Sequence, residues 1–255
     1  MNTLQIISAL FVVAGLLSAL LILLDLRRHP QPMPVMRSVW VLTGLWAGPF
    51  GLLLYRRLGR TADAPEPMPG MPSARNMPHS EHARKMEAMH DMADEGEMPG
   101  MHMPAGRPGW PAVVRSTLHC GAGCTLADLI GEWFLYFVPV SVGGSLAWGG
   151  RIVDYLLALA IGVCFQFAAI RSMQRISPLQ AFEKALKADF LSLTAWQIGM
   201  YCWTAAAAAA WPRMMAERTS WSFWFSIQIG MLCGFICAYP VNILLIRAGI
   251  KNAME

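Results

Sequence analysis

Soft metal ligands are concentrated in one polar segment of the chain. Nine methionines lie between residues 68 and 103, and four histidines are interleaved with them. Thioether, imidazole and thiolate groups together are typical of Cu(I) sites. We therefore expect residues 61–112 to capture copper. The candidate ligands are Met89, His90, Met101, His102 and Met103. A low-complexity linker is the alternative, which the prolines and glycines fit but the density of methionine does not.

A second group of ligands follows at the start of an apolar stretch. Cys120 and Cys124 are four residues apart and therefore share one helix face, on which Asp128 and Glu132 continue the spacing. Two thiolates hold Cu(I) in near-linear geometry, with His119 as a third ligand. Acids inside a membrane are costly and usually mark an ion path or proton relay. The structural alternative is that the cysteines pack as small hydrophobic residues.

Further candidates are weaker. Residues 197–202 and 228–233 share the pattern Gln-Ile-Gly-Met-x-Cys, which indicates that two helices present similar groups to one place. These helices add Met200, Met231 and Cys233 to the predicted ion path, although packing explains such residues as well. The short loop after the first apolar run contributes His29, Met33 and Met36. We predict that this loop lies across the membrane from residues 61–112.

The composition predicts the elements that carry these residues. The chain of 255 residues is 55% hydrophobic and 14% charged, against about 25% charged in soluble domains. Apolar runs long enough to cross a bilayer occur at roughly 4–24, 38–55, 119–140, 152–172, 190–211 and 221–246. We predict an all-α, polytopic membrane bundle of about six transmembrane helices. Residues 1–60 form an N-terminal hairpin, 61–112 a disordered metal-binding loop, and 113–255 a four-helix domain.

The charge distribution predicts a membrane location. Most basic residues lie at the ends of the apolar runs, where they would contact lipid head groups. The net charge of +4 therefore does not indicate binding of nucleic acid. We expect the bacterial inner membrane, with the Met/His loop in the periplasm, where methionine binds Cu(I) without a thiol that could be oxidised. The count of Arg and Lys near all span ends favours the opposite orientation, which stays open. The expected partners are the metal ion, membrane lipid, and a second copy of the chain or a copper chaperone.

The chain also resembles an uncharacterised bacterial polytopic membrane-protein family. This is a domain of unknown function with a His-Cys-x-x-Gly-Cys motif, sometimes labelled copper oxidase. The resemblance rests on Arg28-His29-Pro30-Gln31, Gly48-Pro49, His119–Leu126, Asp128, Glu132-Trp133, Lys187-Ala188-Asp189, Leu191–Trp196, Gln228–Met231, Tyr239–Asn242 and Gly249-Ile250-Lys251. It implies a membrane fold for the chain and does not itself imply a mechanism.

Three functions are compatible with these patterns. The first is Cu(I) binding and transport, in which the loop delivers metal to His119, Cys120 and Cys124 at the membrane mouth. The chain has no Gly-x4-Gly-Lys-Ser/Thr motif, so such transport is passive or ion-coupled. The second is a membrane thiol–disulfide oxidoreductase that cycles Cys120 and Cys124. The third is a non-catalytic assembly protein stabilised by copper.

Overall fold

The computed structural model of the protein describes residues 3–29, 31, 33–60, 109–173 and 176–251. The predicted Met/His loop therefore lies outside the described residues, apart from its last four positions. Within the described ranges the chain is all-helical and has no β-strand. Its helices are α1 (Thr3–Asp25), α2 (Pro34–Leu54), a π-helical turn (Tyr55–Gly59), α3 (Trp110–Phe137), α4 (Leu146–Met173), α5 (Pro178–Ala210), α6 (Pro212–Ala216) and α7 (Trp221–Arg247).

Four of these segments are long and apolar enough to cross a membrane: Thr3–Asp25, Pro34–Gly59, Leu146–Arg171 and Trp221–Arg247. The predicted all-helical architecture is thus confirmed for the described residues, and four candidate spans agree with a membrane protein. The runs at 119–140 and 190–211 also fall in long helices, α3 and α5, of 28 and 33 residues. Charged and polar side chains dilute the hydropathy of both helices, so a count of six spans stays a prediction.

The second apolar run, predicted as a membrane span over roughly 38–55, is a helical hairpin. Gly48 adopts φ +57° and ψ −137°, a conformation open to glycine, and Pro49 follows it. The Trp40 and Tyr55 rings meet at 5.7 Å, whereas 15 residues of straight helix would separate them by about 22 Å. A Cβ on Gly48 would lie 3.9 Å from the backbone nitrogen of Gly15, which is midway along α1. The chain therefore reverses beside the middle of α1.

Both ends of this hairpin lie beside the end of α1. The Tyr55 hydroxyl donates to Asp25 Oδ2 at 2.9 Å, and Gln31 Nε2 donates to the carbonyl of Gly59 at 2.7 Å. Arg115, in the second turn of α3, donates to the carbonyl of Leu58 at 3.1 Å. The chain thus leaves the hairpin and returns at α3 on one end of the bundle.

Glycine contacts bring α3, α4, α5 and α7 close together. The Trp196 indole of α5 lies against Gly121 of α3 and Gly234 of α7, and a Cβ at either position would collide with the ring. A Cβ on Gly123 would come within 2.8 Å of the Gly162 Cα in α4. Such close approach is typical of helices that pack inside membranes. It places the polar face of α3 in the centre of the bundle.

Candidate functional site

A ladder of polar and sulfur side chains runs along the centre of the bundle. Its members on α3 are Cys120, Cys124, Asp128 and Glu132, spaced four residues apart over about 18 Å of helix. The first three are buried, and Glu132 is partly exposed. The structure therefore brings these predicted residues onto one inward face. Residues from α4, α5, α7 and the segment after α7 complete three successive layers around them.

The first layer surrounds Cys120 with four polar groups. The Cys120 thiol donates to Asp189 Oδ1 at 2.9 Å and accepts from the Ser192 hydroxyl at 3.1 Å. Lys251 Nζ lies 2.7 Å from the sulfur and donates to Asn242 Oδ1 at 3.0 Å. Asn242 Nδ2 in turn donates to Ser192 Oγ at 2.7 Å. The result is a closed hydrogen-bonded ring sealed from solvent.

Lys251 is a buried cation in this layer. Its side chain is fully buried, as is that of Asp189, and their Nζ and Oδ1 atoms are 3.6 Å apart. Burial lowers the pKa of Lys251, but the neighbouring Cys120 and Asp189 raise it by more, so its pKa lies above the ordinary value. Lys251 follows the end of α7 and turns back through Gly249, which has φ +68°. The ammonium is thereby carried into the bundle.

The second layer pairs two carboxyl groups. Asp128 and Asp154, from α3 and α4, are within hydrogen-bonding reach of each other, and Cys124 lies beside both. The Tyr201 hydroxyl donates to Asp154 Oδ2 at 3.4 Å and to the carbonyl of Arg151 at 2.8 Å. Asp128 Oδ2 and Asp154 Oδ1 are buried without a hydrogen-bond partner in the structure. Two adjacent carboxyl groups of this kind hold a proton between them more readily than two negative charges.

The third layer opens to the surface at the end of the bundle opposite Lys251. Arg218 donates to Glu132 Oε2 at 2.6 Å, and both side chains are partly exposed. They line a cavity of about 300 Å³ whose wall also includes Asp154 and Tyr201. The cavity therefore connects the carboxyl pair with one face of the bundle.

A separate, mostly apolar cavity of about 240 Å³ reaches Asp128 from the side. Its wall includes Trp46, Trp133, Trp224 and Met231. Met231 Sδ lies 3.9 Å from the Thr125 hydroxyl, so this methionine adjoins the ladder. Its counterpart in the sequence repeat, Met200, instead lines the polar cavity. The predicted pair of methionines thus flanks the ladder at two different places.

Two further predicted ligands, His119 and Cys233, have no hydrogen bond to the sulfur of Cys120 among the described contacts. The buried ring of His119 packs edge-on against Phe165 at 6.2 Å, and neither nitrogen has a hydrogen-bond partner. Cys233 is half-buried near Cys202 and Cys237, in the contact between α5 and α7. The structure does not bring Cys233 to the ladder.

His29, Met33 and Met36, predicted as a second set of ligands across the membrane, lie at the end of the bundle where the described chain stops at Arg60. Arg60, the last described residue before the polar loop, lies with Nη2 3.0 Å from His29 Nε2. Because the chain reverses at Gly48, the first loop and the ends of the polar loop share one side of the bundle. Met36 is buried and Met33 is partly buried in the hydrophobic core of that side.

The described part of the chain has no preformed cluster of metal ligands. Among the residues that the structure describes, no three His, Cys, Asp or Glu side chains are grouped closely enough to hold a metal ion as they stand. Cys120 has one carboxylate neighbour, Asp189, and its remaining contacts are Lys251 and Ser192. A metal ion at this sulfur would have to replace the ammonium.

The sequence patterns identify only the α3 members of the first two layers. Asp189 and Lys251 appear there as parts of the family resemblance, and Asp154 is not among the predicted site residues. Their signal was present, because each is an ionisable residue in or beside an apolar helix. Ser192 and Asn242 carried a weaker signal, as polar residues that need partners in lipid.

Comparison with known proteins gives a family and no activity. No curated protein and no solved structure matches the chain significantly. A family model matches residues 109–251, which include every layer of the ladder. The matched range is more than half of the chain, in agreement with the predicted uncharacterised family. The chain therefore belongs to the family described as Domain of unknown function (DUF4396).

Proposed function

We propose that the protein binds and transports Cu(I) across the bacterial inner membrane, with proton exchange at the carboxyl pair. The observation that carries the proposal is the continuous ladder from Cys120 through Cys124 to Asp128 and Glu132. Thiols supply soft ligands at one end, and carboxyl groups supply proton acceptors at the other. The methionines and histidines of residues 61–112 would collect Cu(I) and present it to the ladder.

Transport requires that Lys251 leave Cys120. The ammonium and Cu(I) are both monovalent cations, and the proton that Cys120 loses on binding the metal passes to Asp189, so this exchange leaves the net charge of the first layer unchanged. Cys120 and Cys124, one turn apart, then offer two sulfur atoms on the same face. Copper would pass to the carboxyl layer as Asp128 or Asp154 releases a proton into the polar cavity beside Glu132. Lys251 therefore acts as the gate of this path.

The hairpin at Gly48 determines the membrane topology that we propose. Five helices then cross the bilayer instead of six: α1, α3, α4, α5 and α7. The hairpin enters the membrane and leaves it on the same side. Positive residues then gather on the side of Lys251: Arg27, Arg28, Arg37, Arg56, Arg57, Arg60, Arg115, Arg171, Lys184, Lys187 and Arg247. The other side has Arg151, Arg213 and Arg218. The positive-inside rule makes the Lys251 side cytoplasmic, together with Arg60 and Gly109, the described residues on either side of the polar loop. This reverses the periplasmic location expected from the sequence and favours export of copper.

The thiol–disulfide alternative fits this geometry less well. Side chains four residues apart on a helix have Cβ atoms about 5–6 Å apart, whereas a disulfide needs about 3.5–4.5 Å. Cys120 and Cys124 are both buried inside a regular helix and are not joined. Forming the bond would require α3 to unwind at its most closely packed point.

Elemental analysis after anaerobic loading with Cu(I) tests the proposal. We expect Cys120→Ser and Cys124→Ser, each combined with deletion of residues 66–104, to lose the copper that the loop deletion alone retains. Cys164→Ser is the matched control, because Cys164 is an exposed free thiol outside the ladder. Copper transport into proteoliposomes should fall in Asp128→Asn while copper binding persists. Unchanged binding and transport in the Cys120 and Cys124 variants would refute the proposal.

A further inference from the structure

The sulfur of Cys120 is closely surrounded by polar atoms, and Lys251 Nζ is the nearest of them, ahead of Asp189 Oδ1 at 2.9 Å and Ser192 Oγ at 3.1 Å. Nζ is 2.7 Å from the sulfur but 3.6 Å from Oδ1 of Asp189, its anionic partner. Hydrogen bonds from nitrogen to oxygen cluster at about 2.9–3.0 Å, and sulfur is larger than oxygen. The separation is too long for a direct nitrogen–sulfur bond. It suits two atoms that are joined through one small bridging atom.

We propose that dioxygen joins Cys120 and Lys251 through a covalent nitrogen–oxygen–sulfur bridge. Cysteine sulfur is oxidised reversibly in steps, and oxidised sulfur reacts with nearby nitrogen. In the overall reaction, the thiol, the neutral amine and one dioxygen molecule give the bridge and one water. One oxygen atom forms the N–O and O–S bonds, while the other leaves as water with two of the three hydrogens. Sulfur and nitrogen lose two electrons each, and dioxygen gains four.

The surroundings of the two atoms supply what this reaction needs. Asp189 lies beside both and accepts the proton that the Lys251 ammonium must lose before nitrogen can react. Asn242 and Ser192 hold the lysine nitrogen and the cysteine sulfur in place. The layer is fully buried, which excludes charged reductants such as glutathione but admits dioxygen, a small apolar molecule. Cys124, in the second layer, has carboxyl groups and no lysine among its described neighbours and serves as an internal comparison.

The bridge would regulate the proposed transport. It removes the Cys120 thiol as a ligand and fixes the segment after α7 to α3, so the gate closes in the presence of oxygen. It reopens when two equivalents of a small neutral dithiol reduce the bridge to thiol, amine and water. This regulatory role rests on the proposed function, but the bridge itself does not. Its detection needs no copper and no transport measurement.

Mass spectrometry of the full-length protein tests the inference. Protein purified anaerobically in detergent is exposed to air, denatured with iodoacetamide and digested. We expect a cross-linked species that joins the peptides containing Cys120 and Lys251, with one oxygen gained and two hydrogens lost. Dithiothreitol should release both peptides unmodified. The species should be absent before exposure to air.

Variants give the matched controls. Cys124→Ser should retain the bridge, whereas Cys120→Ser and Lys251→Arg should lack it. Complete alkylation of Cys120 in air-exposed wild-type protein, or a disulfide between Cys120 and Cys124, would overturn the inference whatever the variants do. A protein that binds copper but never forms the bridge would refute this inference alone. A bridge in a protein that neither binds nor transports copper would refute the transport proposal alone.

Discussion

Replacing Lys251 by methionine tests whether the first layer depends on its buried ion pair. The substitution keeps an unbranched side chain but removes the ammonium, so Asp189 is left without a cation in a site closed to water. Removing one partner of a buried ion pair costs about 3–5 kcal/mol. For a chain of this size, each kcal/mol lowers the melting temperature by about 2–4 °C, which predicts a fall of roughly 6–20 °C.

The assay is thermal unfolding in detergent, under anaerobic conditions and at constant protein concentration, for four proteins. These are wild type, Lys251→Met, Asp189→Asn and the double variant. Because the double variant has no uncompensated charge, it should be more stable than Lys251→Met alone. Lys187→Met removes an exposed lysine near the start of α5 and should change stability by less than about 0.5 kcal/mol. The reasoning fails if Lys251→Met melts with wild type, or if the effects of the two substitutions simply add.

Three further predictions concern local geometry and pH. Gly48→Ala should destabilise the protein by about 1–3 kcal/mol in chemical unfolding, because its backbone conformation is nearly exclusive to glycine. Gly123→Ala should cost about 1–3 kcal/mol, since the new methyl would meet the Gly162 backbone, whereas Gly131→Ala, with its nearest atom at 3.4 Å, should cost little; equal effects would contradict this packing. The raised pKa of Lys251 means that its stabilising charge is present below the pKa of the unfolded chain and lost as pH rises through the higher folded pKa. Melting temperatures across alkaline pH should therefore fall more steeply for wild type than for Lys251→Met.

Some of the site followed from the sequence because it is local. The four-residue spacing from Cys120 to Glu132 predicts a shared helix face, and the structure has that face directed inward. Ser177 before Pro178 marks the start of α5, where the serine hydroxyl accepts from the backbone of Gln180. Both are properties of a few adjacent residues. Such properties are set by helix geometry alone.

The rest depends on packing between distant segments. Lys251 is 131 residues from Cys120 in the chain, and no spacing rule connects them. The sequence signal for the reversal at Gly48 is a Gly-Pro pair inside an apolar run. Such a pair usually ends a helix in a soluble protein, but in many membrane helices it causes only a kink. Whether the chain bends or turns back there depends on the contacts of the hairpin with α1. Those contacts determine the topology, and they cannot be read from the hydropathy pattern.

The position of Trp196 constrains how this bundle moves. Its indole occupies the space left by Gly121 and Gly234, so one rigid, planar side chain holds α3, α5 and α7 at fixed positions relative to each other. Sliding or rocking any of the three helices would force the ring against a backbone. Alternating access by movement of whole helices would therefore cost much free energy in this bundle. Each end of the ladder is instead closed by an ion pair, Lys251 with Asp189 at one end and Arg218 with Glu132 at the other. For the proposed transport, this favours a fixed helix bundle in which the side chains of Lys251 and Arg218 open the two ends independently.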